Sequence, residues 1–108
     1  EHRKSLSSIS PITVRNLVRN KTTGEYTIVF TPKVSASDGC LEIFMAAESQ
    51  NYDAVVLEAK CADAPNLSVA KNKVTNLTFA AGKPLKLDIK LDYSDYCSLE
   101  VKAYGNKV

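Results

Sequence analysis

Apolar and charged residues alternate along residues 84–91, PLKLDIKL, towards the C-terminal end of the chain. The apolar side of this run carries Leu85, Leu87, Ile89 and Leu91. A period of two predicts a β-strand with one face in a core and the other in water. A second alternating run follows a short polar link, with Cys97, Leu99, Val101 and Ala103 on its apolar side. The two runs together predict an antiparallel hairpin.

Further strand patterns, separated by turn residues, fill the chain upstream of this hairpin. They lie at residues 12–19, 25–31, 40–47, 54–61, 67–69 and 74–79. Residues 40–47 and 54–61 have mixed propensity, and we interpret both as strands because the runs are short and bounded by turn signals. Residues 34–39, VSASDG, are expected to form a loop.

This pattern predicts an all-β protein, an antiparallel β-sandwich of immunoglobulin or fibronectin type III kind with about seven or eight strands. The chain contains no tryptophan, so the Cys–Trp–Cys signature of antibody domains is missing. The residues expected in the core are Ile28, Phe30, Leu85, Leu87, Ile89, Leu91, Leu99 and Val101.

The length of 108 residues corresponds to one domain. Residues 1–11, EHRKSLSSISP, are charged and serine-rich and end in proline, which predicts a linker or arm. Residues 12–108 are then a single β-sandwich domain, expected to be the C-terminal module of a larger protein. No apolar run is long enough to cross a membrane, so no membrane partner is expected.

The formal net charge is only +2, but its distribution is uneven. All three arginines, Arg3, Arg15 and Arg19, lie within the first 21 residues. A basic arm can bind phosphates, whereas Arg15 and Arg19 also fit the outward face of a strand. The lysine-rich strands near the C-terminus mix both signs of charge, which does not favour nucleic acid as a partner.

The sequence contains few candidate catalytic residues. His2 is the only histidine and lies in the expected arm, which argues against Ser-His-Asp and Cys-His mechanisms and against histidine-based zinc sites. No glycine-rich phosphate loop is present. Asp92 and Asp95 could hold calcium at a turn, but such residues also satisfy the local backbone of turns. We therefore expect no enzyme activity, no catalytic residue, no cofactor and no metal.

Tyrosines are the remaining candidates for a binding site. Tyr104 falls on the outward register of the last strand, and Tyr52 lies in the polar segment ESQNYD. Exposed rings can stack on sugars, so these two residues are the possible ligand contacts. Tyr93 and Tyr96 instead fit structural roles at a strand corner.

The three cysteines, Cys40, Cys61 and Cys97, cannot all pair within one chain. We expect all three thiols to be reduced, which leans the localisation towards the cytoplasm. Three Asn-x-Ser/Thr triplets, at Asn20, Asn66 and Asn76, would matter only in a secreted eukaryotic protein.

Two functional hypotheses follow from these patterns. The first is a non-catalytic accessory domain for protein–protein contact or spacing within a larger multidomain protein, with protein as its partner. The alternative is a carbohydrate-binding module that uses the exposed tyrosines. A remnant enzyme domain is the third and least supported class.

Overall fold

The computed structural model describes residues 4–5, 12–16, 24–47, 50–92 and 98–107. Ten β-strands and no helix occur in these residues. The strands are β1 (Lys4–Ser5), β2 (Ile12–Asn16), β3 (Glu25–Phe30), β4 (Ala36–Ala47), β5 (Gln50–Asp53), β6 (Val56–Lys60), β7 (Ser68–Ala70), β8 (Lys73–Phe79), β9 (Leu85–Leu91) and β10 (Ser98–Lys107).

The strands form two antiparallel sheets. Sheet 1 has the order β1-β10-β4-β8-β7, and β5 also pairs with β4. Sheet 2 has the order β2-β3-β9-β6. The long strand β4 is paired with β10 on one side, while β8 and β5 lie end to end along its other side.

One hydrophobic core joins the two sheets. Ile28, Phe30 and Leu87 from sheet 2 and Leu41 and Phe79 from sheet 1 belong to the same buried cluster. The rings of Phe30 and Phe79 meet edge to face with centroids 4.8 Å apart, a favourable geometry for aromatic pairs. The all-β class and the two-sheet arrangement are therefore confirmed.

Most of the predicted core residues are buried. Burial is found for Ile28, Phe30, Leu85, Leu87, Ile89, Leu91 and Val101. Leu99 is only partly buried and packs against the edge of the core. Along β9 the burial alternates strictly between buried and exposed positions, which confirms the register taken from the sequence.

All of the predicted strand segments contain a strand, including the two with mixed propensity. Two further strands were not predicted, β1 and β5. β1 lies within the segment that we expected to be a linker or arm, and there Lys4 and Ser5 pair with Gly105 and Tyr104. β5 lies in the polar segment that carries Tyr52.

The predicted hairpin between the last two strands is wrong. β9 lies in sheet 2 between β3 and β6, whereas β10 lies in sheet 1 between β1 and β4. Leu87 pairs with Ile28, and Val101 pairs with Ile43. The two strands lie in different sheets and do not pair through their backbones, because an alternating pattern specifies the buried face but not the hydrogen-bonded neighbour.

The loop predicted at residues 34–39 is also wrong in part. Residues 36–39 belong to β4, and the pairing of β4 with β8 shifts register on both sides of Gly39. Asp38 has a φ of 52°, which marks an irregular position in the strand. The Asp-Gly pair therefore marks a β-bulge, where positive φ is also used, and not a turn between strands.

Candidate functional site

The two tyrosines proposed from the sequence lie in the same sheet, on either side of β4. Tyr52 in β5 pairs with Met45, and Tyr104 in β10 pairs with Cys40. Five positions along β4 and two strand spacings separate the tyrosines, which corresponds to about 20 Å.

They also lie on opposite faces of sheet 1. Cross-strand partners share a face, and Met45 packs against the core, so Tyr52 lies on the core-facing side near the margin of the sheet. Tyr104 follows the buried Ala103 on β10 and therefore lies on the outer side. The structure does not bring the two rings together, and no single ligand can stack on both.

The outer face around Tyr104 is occupied by internal contacts. The ammonium group of Lys102 lies 5.4 Å from the centroid of the Phe44 ring, within the range of a cation–π interaction. Beside it, the Lys73 ammonium lies 3.4 Å from a Glu42 carboxylate oxygen. Tyr104 itself is half-buried. This face is a mixed-charge surface in which the exposed aromatic area is small.

Tyr52 differs from Tyr104, because it is exposed and two exposed aliphatic residues follow it within five positions of the chain. The large hydrophobic side chains that are exposed in the described part of the chain are Tyr52 at 50%, Val55 at 50% and Leu57 at 55%. They fall within one short segment that joins β5 to β6. We call these three residues the β5–β6 patch.

Backbone hydrogen bonds hold this segment in place. The Asp92 N–H donates to the Val55 carbonyl at 2.8 Å, and the Val56 N–H donates to the Lys71 carbonyl at 2.9 Å. The Ala54 N–H donates to the Ile43 carbonyl at 3.2 Å. The segment is thus tied to β4, to the turn between β7 and β8, and to the end of β9.

A bulge turns Leu57 outwards. Val56 pairs with Leu91 and Glu58 with the next residue, Lys90, so Leu57 is the extra residue of β6. Val56, by contrast, is buried. Leu57 is therefore exposed because of the backbone geometry of β6.

Reactive side chains are sparse in the rest of the described surface. A shallow cleft beside β6 is lined by the half-buried Cys61 and by Lys60, Asp63, Lys86 and Asp88. The Asp88 carboxylate accepts a hydrogen bond from the Thr27 hydroxyl at 2.9 Å. Among the residues that the structure describes, no three His, Cys, Asp or Glu side chains come together as a metal site.

Cys40 and Cys61 are not joined in a disulfide, and the reduced state expected for the thiols stays a prediction. Cys97, Tyr93, Tyr96 and Asp95 lie outside the described residues, as do His2, Arg3 and Arg19. The predictions made for these residues therefore remain predictions.

The patch was not predicted from the sequence, because residues 54–61 have mixed propensity and were interpreted as a strand without an assignment of its buried face. The sequence signal for the patch is the run Val55-Val56-Leu57. In a strand with one face in water, three consecutive large apolar residues place at least one of them on the exposed face, unless that face is covered.

The described residues contain no helix with the length and apolar character that crossing a membrane requires. Comparison of the chain with models of protein families, with curated proteins and with solved structures found no match.

Proposed function

We propose that this chain is a non-catalytic β-sandwich domain that binds another protein through the β5–β6 patch. The observation that supports the proposal is the exposure of Tyr52, Val55 and Leu57 within six consecutive residues of a segment fixed by backbone hydrogen bonds. Single exposed hydrophobic residues are ordinary, whereas several adjacent ones mark interaction sites.

Protein is the favoured partner because of the chemistry of the patch. Val55 and Leu57 offer only apolar surface, which gains free energy when another apolar side chain removes it from water. A sugar needs polar groups that fix its hydroxyls. Tyrosine adds a ring and a hydroxyl at low entropic cost and is enriched at protein interfaces.

We also propose that the sandwich is of the immunoglobulin-like kind. The order β2-β3-β9-β6 corresponds to strands A, B, E and D of that architecture, and the neighbours β4 and β10 correspond to C and F. The hairpin of β7 and β8 is then an insertion between D and E, and β1 occupies the place of strand G beside β10.

Selection from a random linear peptide library on the immobilised domain tests the proposed function. Peptides that bind the unaltered domain should lose affinity when Leu57 is changed to serine. A Lys86→Ser variant is the matched control, since Lys86 is exposed on the outer face of sheet 2, away from the patch. Enriched peptides that bind Leu57→Ser as well as the unaltered domain would contradict the proposal.

A carbohydrate-binding function remains the alternative and depends on the exposed ring of Tyr52. A glycan array run with the unaltered domain and with Tyr52→Ala and Tyr104→Ala variants separates the two functions. A strong glycan signal that disappears in either variant would replace protein contact by sugar binding.

A further inference from the structure

We infer that the partner binds at the β5–β6 patch as an extended strand that adds to the outer edge of β5. This inference rests on the proposed function and specifies how the partner is recognised. It commits to a segment of a different protein chain, apolar at alternating positions, with a lysine or arginine opposite Asp53.

Among the described residues, the outer edge of β5 is open to an added strand. Within the described residues β5 pairs with β4 alone, so its other side has no neighbouring strand. β5 continues the line of β8 along β4, and β8 has β7 as its outer neighbour. In the part of the chain that the structure describes, the place that β7 fills beside β8 has no corresponding strand beside β5.

The backbone groups at the outer edge of β5 can form hydrogen bonds with an added strand. The Ala54 N–H donates to Ile43, and hydrogen-bonded positions alternate along an antiparallel pair. Tyr52 therefore directs its N–H and carbonyl towards β4, whereas Asn51 and Asp53 direct theirs away from β4. An added strand would find two donors and two acceptors at this edge.

The outer edge of β5 has few of the features that prevent an edge strand from pairing with another chain. Proteins shield edges with charges, prolines, bulges or very short strands. The β6 edge carries Glu58, Lys60 and a bulge, and β7 has only three residues. β5, with the sequence QNYD, carries one charge, on Asp53.

The apolar patch and the open edge lie on the same segment, which is the arrangement used in strand addition. There main-chain hydrogen bonds supply affinity, and alternate side chains of the added strand supply specificity. Asp53 is exposed and forms no ion pair or side-chain hydrogen bond with other described residues. A basic residue opposite it on the added strand would form a favourable cross-strand pair.

The test uses a peptide selected on the domain and an Asn51→Pro variant. Proline removes the outward N–H of Asn51 but leaves the pairing of β5 with β4 intact, since proline is tolerated where the N–H of an edge strand faces solvent. We expect the affinity of the peptide to fall about tenfold, and the melting temperature of the free domain to stay within a few degrees.

Amide hydrogen exchange gives a second readout that does not depend on the proline variant. The Asn51 and Asp53 amides should become protected when the peptide binds. An added strand directs every second backbone N–H towards β5. Peptides that are N-methylated at the positions facing away from β5 should therefore bind, and peptides that are N-methylated at the positions facing β5 should not.

Three results would overturn the inference. If the peptide binds Asn51→Pro normally but fails on Leu57→Ser, the contact is made by side chains alone, and the proposed function stands without strand addition. If no selected peptide depends on Leu57, both proposals fall. If the domain dimerises and Asn51→Pro makes it monomeric, the added strand comes from a second copy and not from a different protein.

Discussion

Gly39 shows how closely single residues determine this fold. A Cβ at this position would lie 2.8 Å from two carbons of the Phe79 ring and 2.9 Å from the Leu77 carbonyl oxygen. The ring cannot move aside easily, because Phe79 is 2% exposed and packs edge to face on Phe30. The absence of a side chain at Gly39 is therefore what allows Phe79 to fill the core.

Replacement of Gly39 by alanine should destabilise the domain by about 1–3 kcal/mol, because the added methyl group overpacks a site that is already full. Urea unfolding followed by fluorescence or circular dichroism measures this change. Gly82→Asn is the control: Gly82 has open space around it and a φ of 77°, a conformation that asparagine tolerates. Equal stability of Gly39→Ala and the unaltered domain would show that Phe79 has room to move.

The thiols of Cys40 and Cys61 differ in their accessibility to solvent. Cys40 is fully buried, whereas Cys61 is half-buried beside the cleft at β6. In a Cys97→Ser background, a thiol reagent should label Cys61 in the folded protein and Cys40 only after unfolding. Rapid labelling of both thiols under native conditions would contradict the burial of Cys40.

At the scale of elements, the turn between β7 and β8, which contains Asn72, is bonded to β4 and to the start of β6. Its buried side-chain amide donates to the Ile43 carbonyl at 3.3 Å, and its own carbonyl accepts the Ile43 N–H at 2.9 Å. Lys71, in the same turn, has a φ of 54° and accepts the Val56 N–H. The turn between β7 and β8 thus fastens β4 and the start of β6.

Asn72→Ala should cost about 1–3 kcal/mol, because it removes one partner of a buried hydrogen bond. The exposed Asn66 gives a matched control, since Asn66→Ala should change stability by no more than about 0.5 kcal/mol. Thermal unfolding of both variants decides the matter, and equal melting temperatures would mean that the Asn72 side chain does not support the turn.

The elements themselves were largely predictable from the sequence, but their partners were not. The alternation in β9 correctly gave its buried face because a half-buried strand must alternate. The same alternation in β10 suggested a hairpin, yet β3 and β6 became the neighbours of β9. Strand pairing depends on how the two sheets meet across the core, and a local pattern contains no information about that.

Truncation of a buried leucine in β9 and of an exposed leucine in β6 should have very different effects on the stability of the domain. Leu87→Ala in the centre of β9 should destabilise by about 2–5 kcal/mol, since the site is fully buried. Leu57→Ala, at the bulge of β6, should change stability by no more than about 0.5 kcal/mol. Chemical denaturation measures both, and a large loss for Leu57→Ala would assign it to the core and remove it from the binding surface.

For the whole molecule, most pairing joins distant parts of the chain. β3 pairs with β9, and β4 pairs with β10. Such contacts require the chain to lose the entropy of closing long loops before the contacts stabilise it. We therefore expect folding on the millisecond-to-second timescale. Stopped-flow refolding measures this rate, and complete refolding within microseconds would be inconsistent with the sheet order.

The candidate site could not be predicted from the sequence, and the reason is geometric. Tyr52 and Tyr104 were chosen as aromatic residues in polar or outward positions, but exposure also depends on which strands extend beyond the opposite sheet. Val55 and Leu57 were assigned to neither face of their predicted strand, and a local pattern cannot reveal the bulge that turns Leu57 outwards. The site is a product of the packing of the two sheets.

The pairing of β1 with β10 has a consequence for the connectivity of the domain. Lys4 lies directly opposite Gly105, so the two positions are about 5 Å apart despite their separation along the chain. A chain joined from Lys107 back to Lys4 by a short linker and opened at the exposed turn of Pro65 and Asn66 would keep every strand neighbour. The sandwich is in this sense nearly circular, and the order in which its strands are connected can be permuted without changing the two sheets.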